Sequence, residues 1–211
     1  IGFAVAATAL VARSLGGRDR EGARRQASSA LVITSAALAV TAAGVVALRE
    51  PVLAALGAEG ETLAIAARFL LLTVPSLPVM AFGMVGSSIL RAEGDARRAM
   101  QVTLGAGIVA AVLDPFLIFE EVLGLPGLGW GVDGAAAVLL LSRGLTGVFA
   151  IRYVVGVHDL AGRVSWRGVR RDLRPMLAIA LPAAATQLST PLGNFLLTGA
   201  MSAHGHGAVA G

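Results

Sequence analysis

Runs of about twenty residues without a charge recur along this chain, and they decide what it can fold into. Gln26 to Leu48 contains no Asp, Glu or Arg, and neither does Pro175 to Ala203. A hydrocarbon core about 30 Å thick is crossed by roughly 20 apolar residues wound at about 1.5 Å each. Inside lipid the backbone must satisfy its own hydrogen bonds, which leaves helices or closed barrels. Barrel strands would alternate polar and apolar residues over about ten positions, and these continuous runs do not. The expected fold is therefore all-α, a polytopic transmembrane helix bundle. Six helical segments follow: a short one from Ile1 to Ala12, then Gln26 to Leu48, Thr62 to Leu90, Ala99 to Phe119, Ala135 to Val157 and Pro175 to Ala203. With 56% hydrophobic and 14% charged residues and a mean hydropathy of +0.78, lipid is the expected solvent.

The connections between the runs carry an independent signal. Arginines 13, 18, 20, 24 and 25 fill the first, 91, 97 and 98 the third, and 163, 167, 170, 171 and 174 the fifth. The second holds Arg49 against Glu50, Glu59 and Glu61, and the fourth has Glu120, Glu121 and Asp133 with no arginine. Basic residues collect in short cytoplasmic loops, so segments 13–25, 91–98 and 158–174 are expected in the cytoplasm. The same dispersal argues against nucleic acid as a partner, despite a pI near 11.1, because the cations form no single patch. Cys is absent, which removes disulfides and thiolate metal sites. The chain opens on Ile1 without Met and closes in Gly-rich apolar sequence, which reads as truncation at both ends.

Few residues in the spans can carry chemistry. Asp114, in Val112-Leu-Asp-Pro-Phe-Leu-Ile-Phe119, is an acid inside the fourth run. A charge at such depth costs about 2.5 to 3.5 kcal/mol on the insertion scale, so it faces a cavity or a partner. It can take up a proton or ligate a small cation. It can also cap a helix turn restarted at Pro115, or pair with Arg143, which enters the fifth run from the other side to a comparable depth. Pro75, Pro78, Pro115, Pro182 and Pro191 fall within expected helices, where each removes a hydrogen bond and favours a kink. Gln187, Thr190, Asn194 and Thr198 follow helical spacing as a polar stripe, suited to substrate contact or to helix packing. His204 and His206 lack a neighbouring acid or Cys, so no metal site is expected. No Walker-type loop, HExxH motif or serine with a nearby base is present, so an enzyme is not expected.

Several stretches together resemble the multidrug and toxic compound extrusion (MATE) family of cation antiporters. They are Leu10-Val-Ala-Arg-Ser-Leu-Gly-Gly-Arg-Asp19, Leu90-Arg-Ala-Glu-Gly-Asp-Ala-Arg-Arg-Ala-Met100, Leu113-Asp-Pro-Phe-Leu-Ile-Phe119, Gly127-Leu-Gly-Trp-Gly-Val-Asp-Gly-Ala-Ala136 and Leu181-Pro182. The resemblance implies a partial fold of that type: residues 1–157 as one lobe lacking its first helix, 158–174 as the cytoplasmic link, and 175–211 as the start of the second lobe. It implies that Asp114 is the acid that couples to H⁺ or Na⁺. The Asn often found one turn earlier in the family is Ala110 here, and the sixth run lacks the acid of the NorM branch, so a DinF-like, proton-coupled member is expected. No other cofactor is implied. The implied activity is export of organic drugs or xenobiotics across the inner (plasma) membrane by a protein that is monomeric when full-length. A lipid or polysaccharide flippase of the same superfamily, or a non-transporting remnant, is the alternative.

Overall fold

The computed structural model describes residues 2–122, 124–162 and 164–202, with side chains up to residue 189 and Gly193. Seven α-helices account for nearly all of it: α1 (Gly2–Gly16), α2 (Arg20–Ala55), α3 (Gly60–Thr73), α4 (Leu77–Ala92), α5 (Ala96–Ile118), α6 (Gly131–Gly156) and α7 (Trp166–Ser202). A single 3-10 turn, Val74–Ser76, joins α3 to α4. Four units are long and apolar enough to cross a membrane: Arg20–Ala55, Gly60–Ala92, Ala96–Ile118 and Gly131–Gly156.

Helix α4 is central, packing on α1, α2, α5 and α6, while α7 lies against α1 and α2. Their shared core includes Val11, Ile33, Val85, Ile89, Leu90, Val102, Val154, Leu160 and Met176. Glycine brings α4 and α6 close. A Cβ at Gly83 would stand 2.6 Å from Thr146 Cγ2, and one at Gly86 the same distance from Ala150 Cβ. Lipid supplies no hydrophobic drive between helices, so such close seams of small residues carry the association by dispersion contacts.

Two corners repeat one device. Helix α1 ends with Arg18 at φ 58° and Asp19 N–H bonded to the Ser14 carbonyl, and α4 ends with Gly94 at φ 88° and Asp95 N–H bonded to the Leu90 carbonyl. Each left-handed residue closes the finished helix. The following Asp caps the next one: Asp19 Oδ1 accepts from Gly22 N–H at 2.8 Å and Asp95 Oδ1 from Arg98 N–H at 3.0 Å. At the opposite end, the connection after α5 folds back on it. A two-residue antiparallel pairing joins Glu121–Val122 to Leu125–Pro126, and the N–H groups of Leu128 and Trp130 reach the Phe116 and Leu117 carbonyls at 2.8 and 2.9 Å. The last carbonyls of α5 thereby find donors the helix cannot supply.

Three expectations change. The third run is two helices, because Pro75 has no N–H and the chain tightens to 3-10 bonding at Val74–Ser76. Residues 166–174 are helical instead of loop, since arginine is a good helix former. Helix α2 extends past Leu48 through Pro51 to Ala55. Helix α5 likewise continues through Pro115, and α7 through Pro182 and Pro191, so Asp114 does not cap a restarted turn.

Candidate functional site

The arginine-rich connections meet at one end of the bundle. Arg20 donates to the His158 carbonyl at 2.8 Å, and Arg24 donates through Nε to the Asp159 carbonyl at 2.5 Å and pairs with the Asp159 carboxylate. His158 Nε2 lies 2.9 Å from Asp95 Oδ2, and the hydroxyl of Ser28 both donates to the Gly162 carbonyl and accepts from its N–H. Asp172, 4% exposed, accepts from Ser29 Oγ at 2.8 Å and pairs with Arg25 at 3.4 Å. The carboxyl of Asp95 is held down at about 2, first by the Arg98 N–H and next by the Arg98 guanidinium. At the other end Arg68 pairs with Asp133 at 2.6 Å, joining α3 to α6. Opposite ends of the bundle thus carry the alternate connections, as the arginine pattern requires.

Between these ends, α4, α5 and α6 enclose a cavity of about 350 Å³ lined by Met80, Gly83, Met84, Ser87, Arg91, Thr103, Ser142, Arg143 and Thr146. Its position follows from the break in the third run. Leu77 N–H bonds to the Val74 carbonyl in the 3-10 turn, leaving the Thr73 carbonyl without its usual helical donor. Ser76 Oγ donates to that carbonyl at 2.5 Å, and Arg143 NH1 adds a second donor at 3.0 Å while also donating to Ser76 Oγ. The alternative in which Arg143 pairs with Asp114 is not the arrangement found: Arg143 turns to the carbonyl and hydroxyl at the proline break.

Asp114 is half-buried, four residues before the end of α5. The outward face of α5 is a row of exposed apolar residues, Met100, Leu104, Ile108 and Val112. Its inner edge is Ala99, Val102 and Ala106. At about 100° per residue, Thr103, Gly107, Ala110 and Asp114 form a line on the flank between the two. Thr103 opens on the cavity, so Asp114 extends the cavity-lining flank of α5 toward the opposite end of the bundle. Ala110 puts a methyl group, and no oxygen, one turn before the carboxylate.

Gln187 is exposed on α7, while the side chains of Thr190, Pro191 and Asn194 lie outside the described residues. Sequence reasoning missed Thr103, Ser142 and Thr146, whose hydroxyls inside apolar runs were the available signal. Arg91, which donates to Ser88 Oγ at 2.9 Å, was read only as a loop charge. Among the described residues no group of three His, Asp or Glu is arranged to hold a metal.

A bundle of membrane-crossing helices, one of them broken by a 3-10 turn and another carrying an embedded acid, defines a polytopic α-helical membrane protein. The chain belongs to the MatE family, whose model matches residues 1–116. It is 29% identical over 168 residues to a protein of Shewanella oneidensis named FAD transporter, a match covering 76% of this chain and 35% of that protein. It superposes on the inward-facing conformation of a multidrug resistance MATE family transporter of the MOP superfamily with a TM-score of 0.78 and 32% identity, covering 99% of this chain and 47% of that one. A MOP superfamily transporter from Pyrococcus furiosus, described as having a binding pocket of reverse polarity that suggests a different function, gives a TM-score of 0.84 at 30% identity, covering 99% and 46%. The chain thus spans about a third of the curated relative's length and just under half of these solved chains. The partial MATE-type helical fold expected from the motifs is the fold observed.

Proposed function

We propose that this chain supplies one half of a secondary active transporter that exchanges a cation for an organic solute across the plasma membrane, with Asp114 as the coupling residue. One observation carries the reading: a half-buried carboxylate in a membrane-crossing helix, on the flank from which Thr103 lines the cavity, with the guanidinium of Arg143 committed to Thr73 and Ser76. A charge left in that position costs free energy unless a cation visits it. Proton coupling of the DinF-like kind fits better than sodium coupling, because Na⁺ needs several oxygens and Ala110 offers none, whereas a proton needs one base. Organic drugs or xenobiotics are the proposed cargo, exported away from the arginine-rich cytoplasmic end, by a protein that acts as a monomer.

The cavity supports a second reading of the cargo. Arg91 and Arg143 both line it; with Arg143 engaged by Thr73 and Ser76, the guanidinium of Arg91 is the group that suits an organic anion or phosphate. The FAD transporter name of the Shewanella relative agrees with that chemistry; a lipid or polysaccharide flippase would draw on it too.

Full-length protein in proteoliposomes, assayed over a matrix of imposed proton and sodium gradients with a cationic dye and with FAD as cargoes, tests both. Asp114→Asn is expected to abolish gradient-driven transport while insertion and fold persist; undiminished transport sinks the coupling role. FAD transport that falls with Arg91→Gln while dye transport is absent identifies the anion reading.

A further inference from the structure

Helix α7 is far longer than a membrane crossing requires. Its 37 residues rise about 56 Å, against a hydrocarbon core of about 30 Å. The surplus lies at its start, because the last charge before the long apolar run is Arg174. In this first stretch the buried positions, Gly168, Val169, Asp172 and Met176, face α2, where Asp172 meets Arg25 and Ser29. The outward positions are Trp166, Arg167, Arg170, Arg171, Leu173 and Arg174, all exposed. On a helical projection these six occupy one arc of roughly 160°, with the two apolar residues together at its edge.

Trp166 is 66% exposed and carries the Arg170 guanidinium over its ring, 5.3 Å from the centroid. The acids nearby are already engaged, Asp159 by Arg24 and Asp172 by Arg25. Four arginines therefore point outward with no acid paired to them among the described residues. A cationic arc edged by tryptophan and leucine, continuous with the uncharged run that begins at Pro175, matches the boundary of an anionic leaflet: the rings and methylenes suit the acyl edge, and the guanidinium groups suit phosphates.

We propose that the outward face of residues 166–174 binds anionic phospholipid headgroups of the adjoining leaflet, which hold the start of α7 at the membrane surface. On the orientation proposed above that leaflet is the cytoplasmic one; the chemistry of the face does not depend on that choice, nor on Asp114.

The test uses full-length protein in nanodiscs of mixed phosphatidylglycerol and phosphatidylcholine, with retained lipids counted by native mass spectrometry. Wild type should enrich phosphatidylglycerol, and the enrichment should weaken with added salt. Each basic residue at an anionic surface contributes about fivefold, so the combined Arg167→Gln, Arg170→Gln, Arg171→Gln and Arg174→Gln variant should lose at least about tenfold. The same four positions changed to Lys should keep most of the enrichment, because the charge remains. Unchanged phosphatidylglycerol enrichment in the glutamine variant overturns the proposal, and would mean that other parts of the protein cover this face. Should the combined variant fail to insert, the four single glutamine variants are read instead, and no loss at any of them overturns it equally.

Discussion

Arg143 and Asp114 are both charges within membrane-crossing helices, and the fold treats them in opposite ways. Arg143 sits in α6 opposite a proline-made break, and its NH1 joins the Ser76 hydroxyl in donating to the Thr73 carbonyl. Asp114 sits on a continuous helix, half-buried, beside a methyl group at Ala110. The first is a structural charge, satisfied by a carbonyl and a hydroxyl at the break. The second has no side-chain hydrogen bond or ion pair among the described residues. An embedded ionisable group is thus read by its partners more surely than by its depth.

The contrast breaks most visibly at Arg143. Arg143→Leu removes a charge-assisted donor from a carbonyl and a hydroxyl, and should destabilise the protein by about 3 kcal/mol, measured by thermal unfolding in detergent; Arg143→Lys should recover part of it. Asp172 extends the comparison to a carboxylate that is fully engaged. Asp172→Ala strips partners from Ser29 and from the partly exposed Arg25, and should cost about 2 kcal/mol once solvent screening of Arg25 is allowed for. Asp114→Asn should behave differently, changing stability by less than about 1 kcal/mol or raising it, because it neutralises a charge that lacks an internal partner. A large loss of stability there would put Asp114 in the same class as Arg143.

Asp95 gives the smallest effect and the sharpest pH signature. Its folded value of about 2 lies below the unfolded carboxylate value of about 3.9. Its contribution is therefore complete above about pH 4 and is lost as pH falls toward 2. Thermal unfolding followed over that window should show a weaker acid decline in Asp95→Asn than in wild type.

The spans and their order were legible because uncharged runs leave little alternative in lipid, and arginine spacing marked which connections share an end. The corner at Gly94-Asp95 was readable as a left-handed glycine before a cap. Its twin at Arg18-Asp19 was not, since arginine at φ 58° carries no glycine to announce it. Pro75 and Pro78 marked the break, but not what repairs it: that Arg143 meets Thr73 depends on the rotation of α6 about its axis, which hydropathy does not encode. The helical start of α7 was concealed by its charges, which read as loop although arginine favours helix. Asp114 stood out from sequence, whereas Thr103, Ser142 and Thr146 became a site only when three helices met.

The glycine seam has a mechanical corollary. Helix α4 is set flush to α6 at Gly83 and Gly86, while α3, on the other side of the turn at Val74–Ser76, meets α6 through two polar ties, Arg143 to the Thr73 carbonyl and Arg68 to Asp133. The guanidinium of Arg143 therefore sits at the joint between two arms of one broken span, one held to α6 by close packing and the other by hydrogen bonds and an ion pair.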